Sequence, residues 1–306
     1  MRALNCGWRL GVLTPVVLGL GLTCLGLLPS QASAPQLPPA VDSAWRGKQA
    51  AQAGEFVSVT GSRVHVLRTG TGPAVVVFVS GMGEDLSTWS DVQPAISQRA
   101  LTVSYDRFGL GTSDPPPGNS SRSLHQLAAE LHNLLGAMHI DRPIILVGHS
   151  LGGAIIQVYA HDFRDGVAGL VLVDPEDGRL TTLEQRTLPA ETWEAHQRSV
   201  AAAVGSMTPA QRRELDAGLS AGSGAEVAQS LPLPRVPCVL LTGTQKNPEF
   251  PGNPVEQDLK LRLHTELAHA TPGMMHWLVP RSRHYIQNDA PAEVIRAIDT
   301  VVSLAR

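Results

Sequence analysis

The chain has 306 residues, of which 43% are hydrophobic, so it is long enough to bury the core of one large α/β domain. Its 24 Lys and Arg residues nearly balance its 27 Asp and Glu residues without any basic block, which excludes nucleic acid as the main partner. The aromatic content of 4% also argues against a carbohydrate-binding face.

The cysteines and histidines lack the spacing of a metal site. The nearest histidine pair, His264 and His269, is predicted to lie on an exposed helix surface. Cys6 and Cys24 fall in an N-terminal leader, and without it only Cys238 remains, so no internal disulfide is expected. We therefore expect no metal.

The N-terminus has the composition of an export signal. Arg2 and Arg9 precede a long apolar run without charge that begins at Leu10, and small residues favour cleavage after Ala32. We predict a signal peptide over residues 1–32, a Pro-containing linker over residues 33–54, and an exported protein that is periplasmic or secreted. The alternative is an uncleaved membrane anchor, because the apolar run approaches the length that spans a bilayer.

Residues 55–306 alternate between strand-like and helix-like patterns. Alternating stretches on both sides of Gly61 and Ser62 predict an antiparallel hairpin. The strands are predicted, in chain order, at residues 56–60, 63–68, 74–79, 101–105, 144–147, 168–173, 238–242 and 275–279. The helices are predicted at residues 89–98, 123–139, 255–270 and 291–304, with another directly after Ser150. This alternation predicts an α/β fold with a mostly parallel, doubly wound sheet.

Residues 175–236 differ in character from the rest of the domain. They contain no strand-like run, and they combine helical pieces at residues 191–204 and 209–218 with a loose stretch at residues 220–224. Such long segments inside a compact domain are usually functional or disordered. We predict a small helical lid inserted after the sixth strand, with an ordinary surface excursion as the alternative.

The segment Gly148-His149-Ser150-Leu151-Gly152 joins a buried strand to a helix. A G-x-S-x-G turn in this context holds its serine in a strained conformation, and only small residues beside it let the strand and helix approach closely. The helix that follows directs its first amides toward any oxyanion that forms there. Ser150 is therefore predicted to be a nucleophile; a chance match to this short pattern is the alternative.

At these motifs the chain resembles the α/β hydrolases, over roughly residues 55–304. The resemblance is carried by residues 80–83, 105–113, 148–153, 168–174 and 282–287. It implies an α/β-hydrolase fold in which the catalytic residues follow the chain order nucleophile, acid, histidine. It implies no cofactor and no metal.

Among the 11 histidines, His284 has the position expected of the catalytic base. It follows the last predicted strand and so lies at the carboxyl edge of the sheet, where Ser150 also lies. There it would take the Ser150 proton and return it to the leaving group. His276 lies within that strand and is predicted to be a core or edge residue. The side chain of His149 is predicted to leave the serine turn in a different direction.

The oxyanion hole of such an enzyme needs two backbone amides. One is predicted to belong to Leu151, the residue after the nucleophile, and the resemblance assigns the other to Met82. Many relatives have histidine where Ser80 stands, a change that leaves the backbone amide in place. Asp106 and Arg107 are predicted to brace the following turn rather than to take part in the chemistry.

The acid departs from the commonest pattern of the family. Relatives usually place an aspartate shortly after the strand that corresponds to residues 238–242, but the turn here has no carboxylate in the usual place. A minority of the proteins with this fold carry the acid after the preceding strand, which is the position of Asp174. Asp174 is therefore the predicted acid, with Glu249 and Glu176 as alternatives and a purely structural Asp174 left open.

Together these features predict an exported serine hydrolase, carboxylesterase-like, that cleaves a small or medium ester through an acyl-enzyme on Ser150. The alternatives are an iminopeptidase, a C–C bond hydrolase, a haloperoxidase-like activity, an acyltransferase, or a catalytically silent binding protein on the same fold. The expected partner is a small-molecule ester. Contact with a membrane is expected only through an uncleaved leader.

Overall fold

The computed structural model describes residues 54–116, 118, 122–218, 221–246 and 253–305. The predicted signal peptide, the predicted linker up to residue 53, and Glu249 lie outside these residues. Within the described part, no helix combines the length and the apolar character needed to cross a membrane. The predicted limits of the leader, linker and domain therefore stay predictions.

In the described residues, eight strands form one sheet. They are β1 (Glu55–Val59), β2 (Ser62–Thr69), β3 (Val75–Val79), β4 (Leu101–Tyr105), β5 (Ile144–His149), β6 (Val167–Val173), β7 (Cys238–Gly243) and β8 (Met274–Val279). Their order across the sheet is β1-β2-β4-β3-β5-β6-β7-β8. Strands β3 to β8 are parallel, whereas β1 and β2 form an antiparallel hairpin and β2 pairs antiparallel with β4. The predicted mostly parallel sheet is confirmed.

Helices flank the sheet. They are α1 (Gln93–Ile96), α2 (Leu124–Ala137), α3 (Leu151–Asp162), α4 (Leu180–Thr187), α5 (Ala190–Gly205), α6 (Pro209–Gly218), α7 (Ala221–Gln229), α8 (Asn253–Ala270), α9 (Ile286–Asp289) and α10 (Pro291–Leu304). Helix α2 begins with a capping box, because the Ser123 hydroxyl accepts from the Gln126 N–H while the Gln126 side chain accepts from the Ser123 N–H.

Alternate residues of the central strands face two separate cores. In β3, Val77 and Val79 pack in the core that includes α2 and α3, whereas Val76 and Phe78 pack in the core that includes α10. Because both faces of the strand are buried, its sequence is a continuous apolar run rather than an alternating one. The central strands therefore form a rigid support for the loops at their carboxyl ends.

Between β6 and β7 the described residues form four helices, α4 to α7. Helix α4 was not predicted, and the prediction of a loose stretch at residues 220–224 is wrong, because α7 begins at Ala221. A Cβ atom on Gly178 would lie 2.6 Å from the Gly224 nitrogen, so these two glycines allow α7 to pack against the chain that leaves β6. The role of this segment as a lid stays a prediction.

Candidate active site

Ser150 lies at the turn between β5 and α3. Its backbone has φ 51° and ψ −120°, a positive-φ conformation that is strained for a serine. A Cβ atom on Gly148 would lie 2.4 Å from the Gly152 oxygen, and one on Gly152 would lie 2.1 Å from the Val79 oxygen. Leu151 is the first residue of α3, so its amide has no hydrogen-bond acceptor within the helix. The turn thus holds the serine beside a helix N-terminus.

His284 and Asp174, which are 110 residues apart in the chain, meet through a hydrogen bond. His284 Nδ1 lies 2.7 Å from Asp174 Oδ2. Asp174 follows β6 directly and is 0% exposed, and its other oxygen accepts a hydrogen bond from the Gly243 N–H at 2.9 Å. The structure therefore brings the predicted base and the predicted acid into direct contact.

His149, the residue before Ser150, holds the loop that carries His284. His149 Nε2 lies 3.1 Å from the carbonyl oxygen of His284, and the centroids of the two rings are 4.7 Å apart. Its Nδ1 lies 3.2 Å from Glu84 Oε2. Burial would raise the pKa of Glu84, but the charge of His149 and its hydrogen bond lower it below the ordinary value. His149 therefore connects the serine turn, the His284 loop and the turn after β3.

Asp174 is ionised in the folded protein. Burial would raise its pKa, but the hydrogen bond from His284 and the charge of Lys260 outweigh burial and hold the pKa well below the usual value. Lys260 Nζ lies 2.6 Å from Asp174 Oδ2. Asp174 therefore carries a full negative charge against His284 at any pH at which an enzyme assay is ordinarily run.

Glu176, one alternative for the acid, does not share this bond. Its backbone N–H donates to the Ser150 carbonyl oxygen at 3.0 Å. Burial and the carboxylates around it raise the pKa of the Glu176 side chain to about 8. It is therefore mostly protonated at neutral pH and cannot stabilise a cationic histidine as Asp174 can. Glu249, the other alternative, lies outside the described residues.

Glu184, on α4, gives a prediction about pH and stability. It is 4% exposed, and burial together with Glu256 raises its pKa from 4.5 to about 7. The folded state therefore binds the Glu184 proton more tightly than the unfolded chain does, so ionisation destabilises the fold as pH rises through this range. Glu184→Gln is expected to raise the free energy of unfolding by about 1–3 kcal/mol at pH ~8 and to change it little at pH ~4.5.

Urea unfolding at the two pH values measures this difference. Glu191→Gln, on the exposed surface of α5, is the control and should have little effect at either pH. An equal gain from Glu184→Gln at both pH values would contradict the prediction.

In the turn after β3, Met82 lies between two glycines whose backbone amides donate hydrogen bonds to carboxylates. The Gly81 N–H donates to Glu84 Oε2 at 2.7 Å, and the Gly83 N–H donates to Glu214 Oε2 at 3.0 Å. Among the described residues, none accepts a hydrogen bond from the Met82 N–H. The two carboxylates therefore fix the turn and leave the Met82 amide as its free donor.

Glu214, on α6, ties the inserted helices to this turn. Its side chain is 0% exposed and accepts hydrogen bonds from Arg107 Nε at 2.7 Å and Nη2 at 2.8 Å. Arg107 also donates to the carbonyl oxygens of Ser80 and Gly81, at 2.6 Å and 2.5 Å. Arg107 thus braces the turn before Met82, and Glu214 braces Arg107. No local pattern in the sequence points to Glu214, because its partner Arg107 is 107 residues away.

Removing Glu214 is expected to be strongly destabilising. Glu214→Ala leaves Arg107 buried without its carboxylate partner. It also removes the more distant of two carboxylates beside Arg122, whose Nη2 lies 3.3 Å from Glu214 and whose Nη1 lies 2.7 Å from Glu130. The free energy of unfolding should fall by about 3–5 kcal/mol. Urea unfolding measures the loss, with Arg212→Ala on the exposed face of the same helix as the control. A loss below about 1 kcal/mol would contradict the contacts described for Glu214.

A buried polar network lies behind Asp174. His264 is 1% exposed, with Nε2 at 2.9 Å from the Pro175 oxygen and Nδ1 at 2.7 Å from Thr242 Oγ1. Thr242 Oγ1 also lies 2.8 Å from His276 Nε2. The prediction that His264 lies on an exposed helix surface is therefore wrong. Burial lowers the pKa of His264 to about 4, so the ring is neutral near neutral pH.

A cavity of about 160 Å³ opens beside His284. Its walls combine apolar side chains, Leu180 and Leu263, with acidic ones, Glu176 and Glu256. A larger depression of about 750 Å³, along residues 68–72, lies at the opposite edge of the sheet and contains none of the candidate residues. The smaller cavity is therefore the candidate space for part of a substrate.

Comparison with known proteins identifies the family. The family described as alpha/beta hydrolase fold matches residues 74–258, which is more than half of the chain. The chain belongs to the α/β-hydrolase fold family. The uncharacterized protein Rv2715 of Mycobacterium tuberculosis strain H37Rv is 34% identical over 119 residues, which cover 39% of this chain and 34% of that protein. The chain thus spans about a third of the length of this relative.

Solved structures show the same fold at low sequence identity. Carboxylesterase CesB of Bacillus subtilis superposes with a TM-score of 0.60 at 15% identity, covering 85% of this chain and 96% of that chain. The enol-lactonase of Burkholderia xenovorans LB400 superposes with a TM-score of 0.59 at 19% identity, covering 81% of this chain and 100% of that chain. At this level of identity the likeness shows the fold alone.

Proposed function

We propose that this protein is a serine hydrolase that cleaves carboxylic esters through an acyl-enzyme on Ser150. The observation that carries the proposal is the bond of 2.7 Å between His284 Nδ1 and the buried Asp174 carboxylate. This pair lies beside the residue that precedes a strained serine, as the 4.7 Å between the His149 and His284 rings indicates. A nucleophile, a base and a residue that orients the base are the groups that acyl transfer requires.

In the proposed reaction, Ser150 Oγ attacks the acyl carbon while His284 Nε2 takes the hydroxyl proton. Asp174 holds the ring by Nδ1 and stabilises the imidazolium that forms. The amides of Met82 and Leu151 donate to the oxyanion of the tetrahedral intermediate. The alcohol leaves with the proton from His284. Water then attacks the acyl-enzyme by the same route and releases the carboxylic acid and free Ser150.

Support for ester substrates comes from the relatives of the same fold. One is a carboxylesterase and another an enol-lactonase, and both names denote cleavage of an acyl–oxygen bond. The cavity of about 160 Å³ beside His284 has room for one small group of the substrate, so short esters are the first to test. Because the fold hosts many activities, the substrate must be tested directly.

The test combines a covalent probe with a substrate panel. A fluorophosphonate should label wild-type protein at Ser150, and p-nitrophenyl esters of increasing chain length should be hydrolysed, fastest for short acyl chains. A folded sample that neither reacts with the probe nor cleaves any ester would contradict the proposal and favour a binding protein on the same fold. Labelling without ester hydrolysis would favour another serine-dependent activity.

We further propose that residues 1–32 direct export and are then removed. The support is the sequence pattern of Arg2 and Arg9 before a long uncharged apolar run. N-terminal sequencing of the protein from the exported fraction should begin at Ser33. Recovery of the chain from the membrane fraction with Met1 intact would establish the anchor instead.

A further inference from the structure

Lys260 is a buried cation that shares the acid with His284. It lies on α8 and is 6% exposed, and its Nζ is 2.6 Å from Asp174 Oδ2. His284 Nδ1 lies 2.7 Å from that same oxygen, while Asp174 Oδ1 accepts from the Gly243 N–H. Asp174 Oδ2 therefore has two donors. Lys260 carries a positive charge, and His284 gains one during the proposed reaction.

Burying an ammonium group carries a large desolvation penalty, and an apolar side chain of similar volume often stabilises a fold as well or better. Close packing of α8 against the sheet therefore does not require a lysine at this position. The consequence that only a cation brings is electrostatic. The charge of Lys260 helps to keep Asp174 ionised. It also lowers the net electrostatic attraction that a protonated His284 ring experiences beside Asp174.

We propose that Lys260 is a positioning residue that sets how strongly Asp174 binds the imidazolium form of His284, and thereby sets the lower pH limit of catalysis. The inference rests on the proposed esterase function. A cation near His284 disfavours the protonated ring, so the ring stays neutral, and able to accept the Ser150 proton, at lower pH than a simple aspartate–histidine pair would allow. Loss of that cation strengthens the hold of Asp174 on the protonated ring and moves the limit to higher pH.

Other charged or titratable groups also lie around Asp174 and His284. They come from the turn after β3 (Glu84), from β5 (His149), from the chain after β6 (Glu176 and Asp177), from α8 (Glu256 and His264) and from the loop after β8 (Tyr285). Behind them, Glu184 on α4 acts on Glu176 and Glu256. All of them remain when Lys260 alone is replaced. A change in the pH profile of such a variant therefore reports Lys260 itself.

The test is the pH profile of kcat/KM for p-nitrophenyl acetate between about pH 4.5 and about pH 9. In Lys260→Gln and Lys260→Met, the acid limb is expected to move to higher pH by about one to two units, while kcat at pH ~9 stays within about tenfold of wild type. Lys260→Arg keeps the charge and should keep the limb within about 0.3 unit of wild type. Arg262→Gln, an exposed neutralisation on the same helix, should leave it unmoved.

A merely structural lysine would give a different result. Neutral variants that lose activity equally at every pH, with an unmoved acid limb, would overturn the proposal. It would also be overturned if both neutral variants failed to fold while Lys260→Arg folded normally.

A measurement without turnover separates this proposal from the esterase proposal. The His284 ring is titrated by NMR in the Ser150→Ala background, with and without Lys260→Gln. The midpoint should rise by about one to two pH units in the double variant. Inactive wild-type enzyme would refute the proposed function, whereas an unchanged midpoint would refute the role of Lys260.

Discussion

Ser150→Ala is expected to remove nearly all ester hydrolysis and to lower kcat by at least about 10³-fold, or ~4 kcal/mol of transition-state stabilisation. In the proposed mechanism, the substitution removes the only atom that forms the acyl-enzyme, while the proposed oxyanion hole and the cavity beside His284 stay in place. Some residual rate above that of water is therefore expected. Initial rates on the best p-nitrophenyl ester measure the loss, and the fluorophosphonate label should disappear with it.

Stability should change little in this variant, because alanine differs from serine by one oxygen and both are strained at φ 51°. Ser97→Ala, a serine-to-alanine change away from the carboxyl edge of the sheet, is the matched control and should keep full activity. Activity of Ser150→Ala within about tenfold of wild type, ~1.4 kcal/mol, would refute the whole mechanism.

Asp174→Asn is expected to lower kcat by two or more orders of magnitude, about 3 kcal/mol or above. An amide at this position cannot stabilise the imidazolium of His284, and its NH₂ group can hold the ring in the wrong tautomer. Lys260 would also lose its counter-charge, so unfolding by urea must be measured beside the kinetics. A retained fold with a lost kcat would assign the effect to the chemistry.

Glu176→Gln is the matched control for Asp174→Asn. Glu176 lies two residues further along the chain, and the raised pKa of about 8 means that an amide resembles the protonated form already present. Its kcat should fall less than tenfold, and the same is expected of Glu249→Gln. A large loss of kcat in either glutamate variant, with Asp174→Asn nearly active, would identify that glutamate as the acid. Asp174 would then be a structural residue.

Much of the fold could be predicted from the sequence because the signals are local. A continuous apolar run such as residues 144–147 indicates a strand buried on both faces, and the G-x-S-x-G turn that follows it places Ser150 without reference to any distant residue. His284 was found in the same way, from its place after the last strand. Helix α7 is not predicted because its small residues lack periodicity, and its packing depends on tertiary contacts: the close approach of Gly178 to Gly224 and the burial of Val227 in the core.

Polar residues on the core-facing side of α8 indicate, from the sequence, that this helix has buried polar partners. Gln257, Lys260 and His264 are buried on the same helix face as Leu263 and Leu267, at spacings of three and four residues. Polar side chains at such positions need buried partners. The sequence does not say which partners, because the carboxylate that Lys260 meets is 86 residues earlier.

By itself, then, the sequence determined the class of fold, the order of its strands and helices along the chain, and the turn that holds Ser150. Only the tertiary structure decided which carboxylate meets His284, that Lys260 shares it, and that Glu214 from the inserted helices braces the turn at Met82. The reason is physical: periodicity and turn chemistry act between near neighbours, whereas hydrogen bonds and ion pairs join whatever the packing of the sheet brings together.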